Sequence, residues 1–179
     1  MHISAQTLAR DTFVPMLRSL ANVLDKAAHH AATKSFDVSV LVRARLAPDM
    51  FTFQQQVQLA CFHAKDATAR LTGREPAPRV SVDETFDELK ARIEKTIEEL
   101  QGTPAAAFEG AEDRDIVIPI PGDMVFAMKG YQFLRDWALP HFYFHLVTAY
   151  DLLRHNGVEI GKRDYASNVG MYLRKADGT

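Results

Sequence analysis

Apolar residues recur at intervals of three and four along most of this chain, which is the period of an amphipathic α-helix. Long segments with this pattern predict an all-α fold, in which each helix buries one apolar face in a common core. The first segment runs from about Ala5 to His30 and contains Pro15, which lies either in the first turn or at a kink. The second segment runs from about Phe51 to Thr72, and Gly73 ends it. The third begins with a capping box formed by Ser81 and Glu84 and closes at Gly102. The last runs from Tyr131 to His155.

A small β-hairpin is predicted before the last long helix. Ile116–Ile120 and Met124–Met128 are rich in strand-forming residues and flank a Pro-Gly-Asp turn. Pro119 restricts the first strand to a sheet edge, because proline has no amide hydrogen to donate. Pro140, for the same reason, predicts a kink in the last helix just before His141.

The rest of the chain is predicted to be connections and a tail. Ser35 to Leu46 has room for a short helix, and Arg74 to Arg79, with two prolines, is a linker. Residues 157–179 form a polar tail that packs on the surface and frays at its end. A length of 179 residues suits one domain, and we assign residues 1–179 to it.

Charge and composition exclude several classes of function. With 21 Lys plus Arg against 23 Asp plus Glu, the chain lacks the positive surface of a nucleic-acid or anionic-membrane binder. Cys61 is the only cysteine, which excludes an internal disulfide and suits a reducing compartment. The sequence has neither a signal-like start nor an apolar run near the ~20 residues of a membrane span. We therefore expect a soluble cytoplasmic protein.

His141 and His145 are the residues most suggestive of chemistry. Two histidines four apart on a helix project from one face, so both imidazoles can reach one metal ion. His63, on the second long helix, is the candidate third ligand, because small residues such as Ala60 and Ala64 leave room beside it. Asp66, one turn further on, is a substitute ligand or an acceptor that orients a histidine.

The alternative is that these histidines are ordinary core residues. Buried imidazoles need hydrogen-bond partners, and carbonyl or hydroxyl groups supply them as well as a metal does. Cys61 points away from His63 and is expected to be a core residue. Tyr143 and Asp136 are candidate general bases. The run from Lys162 to Tyr165 either clamps an anion or, more simply, packs Tyr165 on the bundle and pairs Asp164 with a base.

The order of elements resembles a known superfamily. Long amphipathic helices, a connector and a last helix carrying HxxxH, with Gly157 twelve residues after its second histidine, resemble the DinB-like metalloenzymes. The stretches LAPDMF, FYFHLVTAYDLLRHNG and GKRDY are similar to a branch of that superfamily catalogued as a domain of unknown function.

This resemblance implies a four-helix bundle with a long crossover, often dimeric. It also implies a nickel or zinc ion held by His63, His141 and His145, which match the ligand positions. Some members of the superfamily are metal-dependent transferases or isomerases that use a low-molecular-weight thiol, and one is a hydrolase.

Two functions follow from these observations. The first is a metal-dependent thiol transferase or hydrolase acting on a small molecule. The second is a non-catalytic, dimeric binding or stress-related protein with structural core histidines and no metal. A homodimer is predicted in either case, because a small bundle with a helix that is apolar on several faces has surplus surface to cover at a two-fold contact.

Overall fold

A computed structural model describes residues 3–76, 78, 79 and 81–175 of the chain. Four long helices form its core, and a two-stranded hairpin stands before the last of them, which confirms the predicted all-α bundle with its hairpin. In chain order the elements are α1 (Ala5–Lys34), α2 (Ser39–Val42), α3 (Phe53–Leu71), α4 (Phe86–Gly102), β1 (Asp115–Ile120), β2 (Met124–Lys129), α5 (Gly130–Gln132), a π-helical turn (Phe133–Ala138), α6 (Leu139–His155) and α7 (Lys162–Tyr165).

Helix α1 is the longest, with 30 residues, and ends four residues later than predicted. The side chain of Ser4 caps its start by accepting the amide of Thr7 at 3.1 Å. At its other end Ser35 adopts a left-handed conformation with φ of 58°. Pro15 lies inside the helix rather than in its first turn, which decides between the two predicted positions.

Helix α3 matches its predicted bounds to within two residues. It is capped by Thr52 and Gln55, whose side chains each bind the other's amide. Gly73, with φ of 69°, follows its end as predicted, since glycine adopts this backbone conformation without steric cost.

The predicted start of the third long helix was wrong. Ser81 and Glu84 lie in an extended segment, and the capping box is formed instead by Thr85 and Glu88 at the start of α4. Both pairs have the same Ser/Thr-x-x-Glu spacing, so the pattern alone did not distinguish them. Glu84 accepts hydrogen bonds from Arg92 at 2.7–3.0 Å, which ties the extended segment to α4.

The hairpin has the predicted strands, each extended by one residue. Asp115 pairs with Lys129 and Ile120 with Met124 in an antiparallel register. Ile116, at 4% exposed, anchors the hairpin in the core. Since an isolated hairpin is marginal in water, this packing is what keeps the two strands formed.

The last long helix changes geometry just before Pro140. Residues 130–132 are α-helical, Phe133–Ala138 form a π-helical turn, and α6 begins at Leu139 with the proline in its first turn. Proline cannot donate to the carbonyl one turn back, so a local break in the α-helical ladder before it is expected. The predicted irregularity is therefore present, displaced toward the N-terminus.

The core lies between α1, α3, α4 and α6, and α3 packs against both α4 and α6. Its largest fully buried side chains are aromatic: Phe13, Phe53, Phe133 and Phe142. The ring of Phe13 meets that of Phe142 edge-on at 4.8 Å, which joins α1 to α6. No helix in the described ranges is long and apolar enough to cross a membrane.

The C-terminal segment packs on α1 and α6 with its first half. Val158 and Ile160 are buried, and the ring of Tyr165 lies 5.9 Å from that of Tyr150 on α6. Asp164 pairs with Lys26 of α1 at 2.6 Å, so residues 162–165 have the structural role predicted for them. The predicted frayed end, at residues 176–179, lies outside the described residues.

Candidate metal centre

The structure brings the three predicted histidines together. His63 projects from α3, and His141 and His145 project from α6, which packs along α3. The ring centre of His63 lies 5.0 Å from that of His141 and 5.3 Å from that of His145. His145 is buried, at 7% exposed, and the other two are half-buried. The cluster therefore sits at the edge of the core, with one side toward solvent.

Both α6 histidines have one ring nitrogen occupied by a hydrogen bond. Nδ1 of His141 lies 2.7 Å from the backbone carbonyl oxygen of Trp137, and Nδ1 of His145 lies 2.7 Å from Oε1 of Gln56. Because both acceptors are oxygens that only accept, each Nδ1 carries the proton and donates it. The lone pair of each neutral ring then lies on Nε2, the nitrogen free to bind a ligand.

Burial keeps two of the histidines neutral. It lowers the pKa of His63 to about 3, with smaller contributions from His145, His141 and Arg79. It also lowers the pKa of His145 to about 4, helped by His141 and Arg79. An imidazolium in this position would lose hydration and face positive neighbours. His63 and His145 are thus unprotonated at neutral pH, which is the form that binds metals.

Aromatic side chains surround the histidines. The ring of Trp137 lies 4.5 Å from that of His141 and 5.1 Å from that of Phe126 on the hairpin. Phe62 lies edge-on to its neighbour His63 at 5.2 Å. These rings limit water near the cluster and lower the local dielectric constant, which strengthens electrostatic interactions there.

Arg79 adds positive charge to this region. Its guanidinium lies 5.2 Å from the ring centre of Phe51, within the range of a cation–π contact. It also contributes to lowering the pKa of both His63 and His145, so its charge acts on the cluster. An anionic group approaching the histidines would be attracted by the same field.

The three histidines have the right chemistry for a metal ion. Their side chains would have to move before they could bind one. Three neutral imidazole nitrogens are a common donor set for zinc and nickel. In the part of the chain that the structure describes, no group of three His, Cys, Asp or Glu side chains is already arranged to hold an ion.

Other predicted site residues lie elsewhere or have other partners. Oδ1 of Asp66 accepts a hydrogen bond from Arg70 at 2.8 Å, so its carboxylate has a structural partner, and its role as a substitute ligand stays a prediction. Cys61 is fully buried, as predicted, and burial raises the pKa of its thiol to about 11. Its neighbour Thr96 on α4 lowers that pKa by a smaller amount than burial raises it.

The two candidate general bases are poorly suited to that role. Asp136 is exposed and binds Arg135 through both oxygens, and this hydrogen bonding lowers the pKa of its carboxyl group. Burial raises the pKa of Tyr143, so its phenol stays protonated at neutral pH. Neither side chain is therefore poised to accept a proton near pH 7.

Gln56 is the residue in contact with the candidate metal centre that sequence reasoning missed. It lies seven residues before His63, which is two helical turns and the same face of α3. That spacing was available in the sequence. What the sequence did not show is that this face meets His145 of α6, since the relative rotation of two helices depends on the whole core.

A separate polar cleft of about 890 Å³ lies at the N-terminal ends of α3 and α4. Its walls include Arg43, Arg45, Gln54 and Asp83. The capping boxes satisfy two amides at the start of each helix there. The cleft does not include the histidines, so it is not part of the candidate metal centre.

The fold places the protein in the DinB-like class. The chain is similar to a DinB family member from Shewanella denitrificans whose crystal structure is known, with 42% identity over 89% of this chain and 90% of that one, and a TM-score of 0.81. Residues 7–166 match a family described as a domain of unknown function, DUF1993. The chain belongs to this family, and both resemblances predicted from the sequence are confirmed. A comparison with curated proteins gave no match.

Proposed function

We propose that the protein binds one divalent metal ion, nickel or zinc, through His63, His141 and His145. The observation that carries this proposal is the clustering of three imidazoles. The ring centre of His63 lies 5.0 Å from that of His141 and 5.3 Å from that of His145. Two of them hold their Nδ1 proton on an oxygen acceptor, which directs Nε2 to a ligand. His63 and His145 are neutral at pH 7, so these two ligands would leave the charge of a bound ion unchanged.

We propose further that this centre serves a thiol transferase or a hydrolase that acts on a small molecule. A metal with three protein ligands and an open position lowers the pKa of a bound water or thiol, which supplies a nucleophile at neutral pH. The chain's own residues would hold and orient the reactants. Arg79 attracts an anionic group, and the rings of Phe62, Trp137 and Phe126 exclude water from one side of the site.

Metal content of untagged protein is the first test. Protein supplied with nickel or zinc should retain about one ion per chain, and the His145→Ala variant should lose it, because two neutral ligands make a weak site. His63→Ala should lose it as well, because the carboxylate of Asp66 already has Arg70 as its partner. His155→Ala, which removes an exposed histidine at the end of the same helix, is the matched control and should bind like wild type.

A second measurement asks whether the ion binds the folded protein. A ligand at 100 times its dissociation constant stabilises the native state by about 2.7 kcal/mol. Saturating zinc or nickel should therefore raise the melting temperature of wild type and leave that of His145→Ala unchanged. An unchanged melting temperature in wild type, together with no retained metal, would contradict the proposal.

Activity is tested with the metal-loaded protein. Wild type, given a low-molecular-weight thiol and a small electrophile that carries a leaving group, should form the thioether and release the leaving group together with the thiol proton. Without the thiol, water should replace the same leaving group. The His145→Ala variant should do neither. Activity that is equal in the two proteins would show that the histidines do not carry the reaction.

The second candidate function is a non-catalytic dimeric binding protein. One observation favours it: the α6 histidines already have hydrogen-bond partners, so the fold satisfies their Nδ1 atoms without an ion. Phe144 of α6 is 58% exposed and Val147 is 37% exposed, which provides apolar surface for a two-fold contact. Light scattering on metal-free protein should report a dimer at micromolar concentration, and Phe144→Ser should weaken it. A monomer would contradict the proposed dimer.

A further inference from the structure

Gln56 holds a buried amide against His145. Its side chain is 1% exposed, and its Oε1 atom lies 2.7 Å from Nδ1 of the histidine. The two residues are 89 positions apart in the chain and come from α3 and α6. This hydrogen bond is therefore a tertiary contact between the two helices that carry the histidine cluster.

The orientation of the Gln56 amide follows from its second partner. Its Nε2 atom donates to the backbone carbonyl of Phe51 at 3.4 Å. If the amide were reversed, its oxygen would face that carbonyl oxygen and its NH₂ group would face the histidine. Two acceptors facing each other in a buried position are unfavourable, so the oxygen of Gln56 is the atom that meets His145.

We infer that Gln56 is a positioning residue for the candidate metal centre, which holds the proton of His145 on Nδ1 and so presents Nε2 as the ligand atom. The inference rests on the proposed metal-binding function. Residues that orient metal-binding histidines in this way commonly change metal affinity by about 10–100-fold when they are replaced. Gln56 would act through His145 without touching the ion.

His141 provides an internal reference for this inference. Its Nδ1 donates to the carbonyl of Trp137, an acceptor that no side-chain substitution removes. A change at Gln56 should therefore alter the tautomer of His145 and leave that of His141 as it is. A general loosening of the site would change both rings.

The experiment compares wild type with Gln56→Leu and Gln56→Glu. Proton–nitrogen correlation spectra of the histidine rings, recorded on metal-free protein at pH 7, report which nitrogen carries each proton. We expect the Nδ1–H form of His145 in wild type and in Gln56→Glu, whose carboxylate also accepts. In Gln56→Leu we expect a mixture of tautomers and a zinc affinity about 10–100-fold below wild type. The Glu variant should restore that affinity.

Gln58→Leu is the matched control. Gln58 is a buried glutamine on the same helix, at 5% exposed, and its amide binds Val82 and Glu84 instead of a histidine. Its replacement also removes a buried amide and should lower stability, yet it should leave the His145 tautomer unchanged. Thermal stability measured for both Leu variants separates loss of folding from loss of orientation.

Three results would overturn the inference. They are a proton on Nε2 of His145 in wild type, an unchanged tautomer in Gln56→Leu, and equal tautomer changes in His141 and His145. Absence of zinc and nickel binding in wild type would instead overturn the proposed function. Because the spectra are recorded without metal, the two failures are distinguishable.

Discussion

Burial and one nearby charge set the protonation state of two histidines in the cluster, His63 and His145. Burial is the largest cause of the lowered pKa of His63 and His145, and the charge of Arg79 is a smaller one. His63 and His145 therefore differ from surface histidines, which would be partly protonated near pH 6.5.

Removal of the Arg79 charge should raise the pKa of His63 and His145, because a positive neighbour disfavours the imidazolium. Both pKa values should stay below 6.5 in Arg79→Gln, since burial remains. A nuclear magnetic resonance titration of the histidine rings in metal-free protein measures this. Arg45→Gln is the control. It removes an exposed arginine that lines the polar cleft, and it should change neither pKa value. An unchanged titration in Arg79→Gln would mean that its charge does not act on the cluster.

Gly130 is a second residue whose identity is determined by its surroundings. A Cβ atom at this position would lie 1.8 Å from the carbonyl oxygen of Ala111, which is backbone and cannot move aside easily. Gly130→Ala should therefore destabilise the protein by about 1–3 kcal/mol or more, as overpacking does. It should also displace the hairpin, which ends one residue earlier.

Gly102→Ala is the control for this substitution. No atom lies within 4 Å of a Cβ built at Gly102, and the residue is in the last turn of α4. Alanine there should be neutral or stabilising by up to about 1 kcal/mol, because alanine favours the helix. Denaturant unfolding of both variants gives the comparison. Equal effects at the two positions would mean that the close approach of Ala111 does not limit Gly130.

At the level of elements, most helices could be predicted because their signals are local. The apolar period placed α1, α3, α4 and the last helix, and Gly73 marked the end of α3. The start of α4 was mistaken because two capping patterns follow each other within eight residues. Only Thr85 has the extended backbone followed by helical residues that a cap requires.

This correction predicts different effects of two similar substitutions. Thr85→Ala should destabilise the protein by about 0.5–2 kcal/mol, since it removes the acceptor for the amide of Glu88. Ser81→Ala should change stability by less than about 0.5 kcal/mol, as exposed substitutions usually do. The free energies of unfolding in urea provide the measurement. A larger loss in Ser81→Ala would restore the original assignment of the cap.

The π-helical turn is an element that periodicity did not predict. It places Trp137 so that its carbonyl oxygen accepts from the ring of His141, and its side chain packs on the same imidazole. π-Helical turns often occur at functional sites, because the changed backbone geometry redirects side chains. Pro140 was the only local indication of an irregularity, and it did not show which kind.

For the whole molecule, the buried histidines link stability to pH. In the unfolded chain they take up protons near pH 6.5, whereas in the folded chain His63 and His145 do so only near pH 3 and 4. Between these limits the unfolded state binds more protons, so the free energy of unfolding falls as the pH falls. Each of the two histidines lowers the free energy of unfolding by at most about 1.4 kcal/mol for each pH unit in this window.

Metal-free wild type should therefore lose stability steadily from about pH 6.5 to pH 4. The double variant His63→Gln, His145→Gln should show a smaller slope over the same range and a similar slope between pH 7 and 8, where the histidines are neutral in both states. Urea unfolding at a series of pH values measures both slopes. Identical slopes below pH 6.5 would show that the two histidines are not buried in their neutral form.

The sequence by itself determined the helices, the hairpin and the positions of His63, His141 and His145 on helical faces. These are local properties, since the spacing of apolar residues and the turn residues are read within a few positions. Only the tertiary structure decided which groups those faces meet. Two contacts show this: Gln56 meets His145, and Gly130 lies against the carbonyl of Ala111. Both join segments that are distant in the chain, so they depend on the rotation and separation of packed elements rather than on a local pattern.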